Sequence, residues 1–238
     1  YSAPVIFNRG FGDCKDKAIL LRALLGEVGI EAYPVLLLAQ STRFEEDHKL
    51  AIVNHFNHCI AWLPNQDGIE ATFLDGTARH APFEVLPDSD AGAQVLVVGP
   101  EGTQRKRIPF ATVTDNLMEK RFKISLRQDG GGSVECELRP HGRWDPGYRA
   151  YFAGSEEERN EQADEWMSQM FGAIPSNIET SFSDLEVLSS PVQIKLSGQP
   201  SQVLRADNDG GYSFPTSFEP DRLLQSVATE SERASDLL

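Results

Sequence analysis

The chain has 238 residues and a mass of 26.3 kDa, with 40% hydrophobic and 24% charged residues, enough for one or two domains and too apolar for a disordered chain. Its 22 basic and 36 acidic residues give a formal charge of −14, which argues against a nucleic-acid footprint of clustered Lys and Arg. The longest apolar stretch, Tyr33 to Ala39, is strand-sized and far short of the ~18 residues a membrane span needs. Three cysteines, Cys14, Cys59 and Cys136, are too few and too scattered for a disulfide scaffold or a cysteine-rich zinc site.

In chain order, Asp13 is an N-cap, and after it Ala18, Leu20, Leu21, Leu24, Leu25 and Val28 recur at helical spacing, with Gly29 supplying the left-handed residue that ends the helix. Tyr33 to Leu38 is apolar on both faces and predicts a buried strand, followed by a polar loop from Gln40 to about Leu50. His55 to Leu63 and Glu70 to Leu74 flank Pro64-Asn65-Gln66-Asp67-Gly68 and read as an antiparallel hairpin; Val95 to Val98 adds a short strand. The basic run Arg105-Lys106-Arg107 reads as a solvated strand edge. Beyond it, Glu119 to Arg127 and Ser133 to Arg139 flank a glycine-rich turn and predict a second hairpin. Ser155-Glu156-Glu157-Glu158 is a capping box opening a helix to about Phe171 that packs through Trp166, Met167 and Met170. Ile178 to Phe182, Leu185 to Leu188 and Val192 to Leu196 read as strands, and the tail from Pro215 is predicted to fray.

Residues 1–110 carry 10 basic and 14 acidic groups, net −4, and residues 111–238 carry 12 and 22, net −10. Texture changes at the same place, from one strong helix with apolar strands to β-like sequence with one acidic helix. The predicted boundary lies near Pro109–Asp115. The fold class is therefore α+β, with a first domain over 1–110 and a β-rich second domain over 111–238.

The chemistry-bearing segment is Gly12-Asp13-Cys14-Lys15-Asp16-Lys17-Ala18. A thiol in the first turn of a helix meets unpaired backbone N–H groups and the positive end of the dipole, which favour the thiolate. Gly12 removes bulk just ahead of it, leaving room for a substrate backbone, while Asp16 is expected to complement the dipole. A nucleophilic thiol needs an imidazole partner, and that partner needs an orienting group. His58 shares a strand face with Ile60 and Trp62, and Asp75, at the end of an apolar strand and followed by Gly76, can reach it across a hairpin. Asp75 would hold one ring nitrogen and leave the other for Cys14. Cys59 and Cys136 read as buried small hydrophobes. His55 and His58 do not converge and no carboxylate cluster is read around them, so neither a metal site nor a cofactor-binding loop is expected.

A helix-start Cys, a strand His and a strand-end Asp-Gly, separated by 44 and 17 residues, resemble the transglutaminase-like superfamily of cysteine enzymes. The resemblance rests on residues 12–18, Leu24-Leu25 with Gly29-Ile30, Phe56-Asn57-His58 and Leu74-Asp75-Gly76-Thr77-Ala78, covers about residues 8–100, and is especially similar to bacterial proteins that join this core to β-rich domains. It implies a papain/transglutaminase-like core in which the nucleophile's helix packs on an antiparallel sheet, with Cys14 as nucleophile, His58 as general base and Asp75 as its orienter. It further implies thiol-dependent amide chemistry through an acyl-enzyme: peptide or isopeptide hydrolysis, or acyl transfer to an amine. The partner is then a peptide or protein substrate, and the compartment leans to the bacterial envelope by resemblance alone. Only 13 residues precede Cys14, where relatives carry helical structure that walls the cleft. The expectation is that this wall belongs to the remainder of a longer polypeptide. The alternative is a catalytically silent binding or assembly module on the same fold.

Overall fold

The computed structural model describes residues 1–40, 52–83, 85–171, 174–206 and 211–213. The predicted polar loop with His48, and the tail from Pro215, lie outside the described residues apart from Gln40. The protein is α+β, with four helices and two main antiparallel sheets among the described residues. It divides into two compact units. The first comprises Tyr1–Leu117 with His141–Gly147 and Glu186–Ser189; the second comprises Met118–Pro140, Tyr148–Leu185 and Ser190 onward. No described helix is long and apolar enough to cross a membrane.

The first unit opens with helix α1 (Ala3–Arg9), which the sequence reading does not anticipate. It is seven residues long and ends on Gly10 in the left-handed conformation, φ 72°. Residues ahead of Cys14 are thus partly helical, and α1 packs against α2 (Cys14–Glu27). Asp13 caps α2, accepting from the Asp16 amide at 3.1 Å. At its far end Gly29 (φ 78°) lets Ile30 N–H reach Leu25 C=O at 2.9 Å and Gly29 N–H reach Gly26 C=O at 3.1 Å, the paired bonds of a Schellman stop. The apolar stripe of α2 is only partly covered: Ala18 is buried, but Leu24 and Val28 are 49% and 71% exposed.

The first sheet has the order β3-β2-β1-β4-β5, all neighbours antiparallel, built from β1 (Tyr33–Leu37), β2 (His58–Leu63), β3 (Thr72–Leu74), β4 (Gln94–Gly99) and β5 (Gly102–Arg107). β1 is central, which is why both its faces are apolar. Val35, Leu37, Ile60, Phe73, Val95 and Val97 form the core with Ala93 and Ile108. β2 begins at His58 rather than His55, because residues 53–55 close a 3-10 turn. Asn57 sets this entry: its side chain accepts from Ala39 N–H at 2.7 Å and donates to Ala39 C=O at 2.9 Å, standing in for a ladder partner. Gln66 in the hairpin turn does the same for Glu31, at 2.8 and 3.0 Å. The basic run sits on β5, an exposed edge strand.

In the second unit, β6 (Met118–Leu126), β7 (Gly132–Pro140), β8 (Ser176–Phe182) and β9 (Ile194–Gln199) form a sheet of order β6-β7-β9-β8. A two-residue pair, β10 (Arg205–Ala206) and β11 (Tyr212–Ser213), stands apart from it. Helix α4 (Glu156–Phe171) opens on the reciprocal Ser155–Glu158 capping box, with bonds of 2.7 and 3.2 Å, and buries Ala163 and Met167. Two expectations are corrected. Residues 185–188 form no strand; Leu185 is instead a core side chain beside Phe152 and Ile194. A second helix, α3 (Trp144–Tyr151), is present beyond residue 111, where the sequence predicts only the one over about 155–171; Pro146 falls in its first turn, where a missing N–H costs no helical bond. Arg149 on α3 is 1% exposed and donates to Leu185 C=O at 2.8 Å and Ser190 C=O at 2.6 Å.

Candidate active site

Cys14 is the first helical residue of α2, half-buried, and it carries a free thiol. The loop before it is held from behind. Arg9 Nη2 meets Asp16 Oδ2 at 2.5 Å, and Arg9 Nε donates to Phe11 C=O at 2.8 Å. Asp16 is in the first turn, as its expected dipole role requires, but its buried carboxylate also ties α1 to α2. Gly12 lies close against Asp16: a Cβ there would fall 2.5 Å from Asp16 Cβ.

His58 opens β2 and Asp75 follows β3, and the β2–β3 ladder (Ala61↔Leu74) brings them together. His58 Nε2 and Asp75 Oδ2 are 3.1 Å apart, with side-chain exposures of 15% and 1%. Asp75 is further held by Thr77, whose amide donates to Oδ1 at 2.7 Å and whose hydroxyl lies 2.7 and 2.9 Å from the two oxygens. At Gly76 this turn lies against α2, where a Cβ would meet Lys17 Cβ at 3.4 Å, an ordinary contact. The Cys14 thiol lies near enough to the imidazole to add to the rise in its pKa. With Nε2 engaged by Asp75, Nδ1 is the nitrogen left for sulfur.

Electrostatics follow from these contacts. The hydrogen bond to Asp75 raises the His58 pKa from 6.5 to about 9, against the opposing effect of burial, and Cys14 and the charges of Asp75 and Asp90 add to the rise. Burial pushes the Asp75 carboxyl up, but its bonds from His58 and Thr77 outweigh that and hold it below its ordinary value. The other two thiols behave differently: burial pushes Cys59 to about 11 and Cys136 to about 12, and both are buried.

The sequence reading misses Asp90, and its statement that no carboxylates gather at the histidine is corrected here. Asp90 is 0% exposed, and one ligand atom each from His58, Asp75 and Asp90 lie within 4.8 Å of one another. It comes from the turn before β4, where Pro-Asp-Ser-Asp gives only a turn signal. These are the described residues closest to a metal-ligand set. Of these groups, Asp75 is engaged by His58 and Thr77, and the imidazole by Asp75 through Nε2. A separate cavity of about 450 Å³ opens on the second sheet among Arg121, Lys123, Glu135, Glu137 and Lys195. Those residues pair across the strands, as Lys123 does with Glu135 at 3.0 Å, and make a solvated sheet face.

No family model, curated protein or solved structure matches the chain.

Proposed function

We propose that the protein performs thiol-dependent amide chemistry on peptide or isopeptide bonds, with Cys14 as nucleophile, His58 as general base and Asp75 as the residue that orients it, in the manner of the transglutaminase-like superfamily that the motifs resemble. The observation that carries this reading is the His58 Nε2–Asp75 Oδ2 bond of 3.1 Å, on an imidazole whose pKa the nearby Cys14 thiol also raises. In this reading the Cys14 proton passes to His58 Nδ1, and the thiolate attacks the amide carbonyl. The oxyanion forms at the start of α2, where backbone N–H groups have no partner within the helix. His58 returns the proton to the departing amine, leaving a thioester on Cys14. Water, or a second amine, then attacks the thioester with His58 taking its proton, and the thiol is regenerated.

The test has two arms. Iodoacetamide labelling at pH 7, read by mass spectrometry, is expected to modify Cys14 about tenfold faster than free cysteine, with Cys59 and Cys136 untouched. Labelled casein is expected to be cleaved by the protein and not by Cys14→Ala of unchanged circular dichroism. Cleavage that survives in Cys14→Ala, or labelling of Cys14 no faster than free cysteine, overturns the proposal; the second outcome favours the catalytically silent module.

A further inference from the structure

The imidazole of His58 faces two buried carboxylates, and the orienting role above uses only one of them. Asp90 has no exposed surface, so its carboxylate is not a solvated loop charge. Its position is set by backbone: Asp90 N–H donates to Pro87 C=O at 2.9 Å, Ala93 N–H donates to Asp90 C=O at 3.2 Å, and Gln40 N–H donates to Ser89 C=O at 2.9 Å. Ser89 Oγ donates to Asp90 Oδ1 at 3.2 Å. The last of these backbone bonds joins the turn to the segment leaving β1, the strand paired with the one that carries His58, so the acid and the ring are fixed in a common frame.

We propose that Asp90 is a positioning residue of the Cys14–His58–Asp75 site, a second carboxylate that supports the charged form of His58 and so sustains its ion pair with the Cys14 thiolate. This rests on the function proposed above. Transfer of the thiol proton to Nδ1 creates one negative and one positive charge. Among the described residues, the groups that act on the ring include Cys14 from α2, Asp75 from the turn after β3, and Asp90 from the turn before β4, with ligand atoms of His58, Asp75 and Asp90 within 4.8 Å of one another. Asp75 fixes ring orientation by a direct bond; Asp90 acts through the field in a site with little water to screen it. Its charge favours imidazolium in the same direction as Asp75, as the rise in the His58 pKa reflects.

The experiment is an NMR titration of the His58 imidazole, assigned by the signal missing from His58→Gln, in the intact protein, Asp90→Asn and Asp75→Asn, with iodoacetamide labelling of Cys14 in parallel. Asp90→Asn is expected to lower the His58 midpoint, by less than Asp75→Asn does, and to slow Cys14 labelling at pH 7 about twofold, effects that a purely structural role would not produce in a folded variant. If Asp90→Asn fails to fold, Asp90→Ser, smaller and also uncharged, takes its place with the same expectation, and Asp75→Asn gives the larger fall expected on losing the direct bond. An unmoved midpoint in the folded Asp90 variant overturns the role of Asp90 and leaves the proposed function standing. An intact protein whose His58 midpoint is ordinary and whose Cys14 is slow overturns both.

Discussion

Arg9 and Asp16 meet at 2.5 Å across the loop that delivers Cys14, so a residue of the helix before the thiol and one of the helix after it share a single ion pair. The side chains are 23% and 12% exposed, so the pair is only partly open to water. Arg9→Ala leaves a buried carboxylate without this partner and is expected to destabilise the protein by about 1–3 kcal/mol. Urea unfolding of Arg9→Ala, Asp16→Asn and the double variant measures the coupling. Losses that simply add would show that the two side chains do not act as a pair.

Gly12→Ala tests the same lock from the backbone side. The new methyl meets Asp16 Cβ and then Oδ2, at 2.5 and 3.1 Å, and neither can withdraw without disturbing Arg9. A loss of about 1–3 kcal/mol is expected, with slower labelling of Cys14 as the loop shifts. A variant with unchanged unfolding and labelling would mean that the loop relaxes freely.

Folding stability is expected to depend on pH through His58. Its pKa is raised in the folded state, so the stabilisation is complete below the unfolded value of 6.5 and is lost as pH rises through about 9. Counted once for the His58–Asp75 pair, the change is on the order of 2–3 kcal/mol. Urea midpoints between pH 6 and 9.5 should fall for the intact protein and much less for His58→Gln. Parallel slopes in the two would remove His58 as the source.

In the second unit, Arg149 holds the carbonyls of Leu185 and Ser190 on either side of the chain's excursion through 186–189. Arg149→Met keeps the bulk and abandons both acceptors, and is expected to cost about 2–5 kcal/mol of unfolding free energy. A change below about 0.5 kcal/mol would indicate that water replaces the guanidinium without loss.

What could be seen in the sequence was local. The α2 cap and stop, the Ser155–Glu158 box and the two hairpins are encoded within a few residues, and the thiol, imidazole and carboxylate stood out by type and by place at element ends. What was hidden depends on tertiary context. β5 is polar along its length because it is an edge, so its residues showed a charge run without apolar alternation. Pro146 and Gly147 are the poorest helix formers, yet both lie inside α3. Leu185 to Leu188 was apolar enough for a strand, but apolarity also marks a loop residue plugged into a core. Asp90 gave no signal, because its meaning comes from a histidine 32 residues earlier that only the fold brings near.

The edges of the first sheet bear on how copies of the protein behave at high concentration. One edge, β3, is three residues long, and the other, β5, presents Arg105, Lys106 and Arg107. Two molecules approaching β5 to β5 would bring cation against cation, a barrier to strand-by-strand growth that weakens as added salt screens it. The short positive tract on a molecule of net charge −14 thus acts as a guard against fibrous self-association, strongest in dilute buffer.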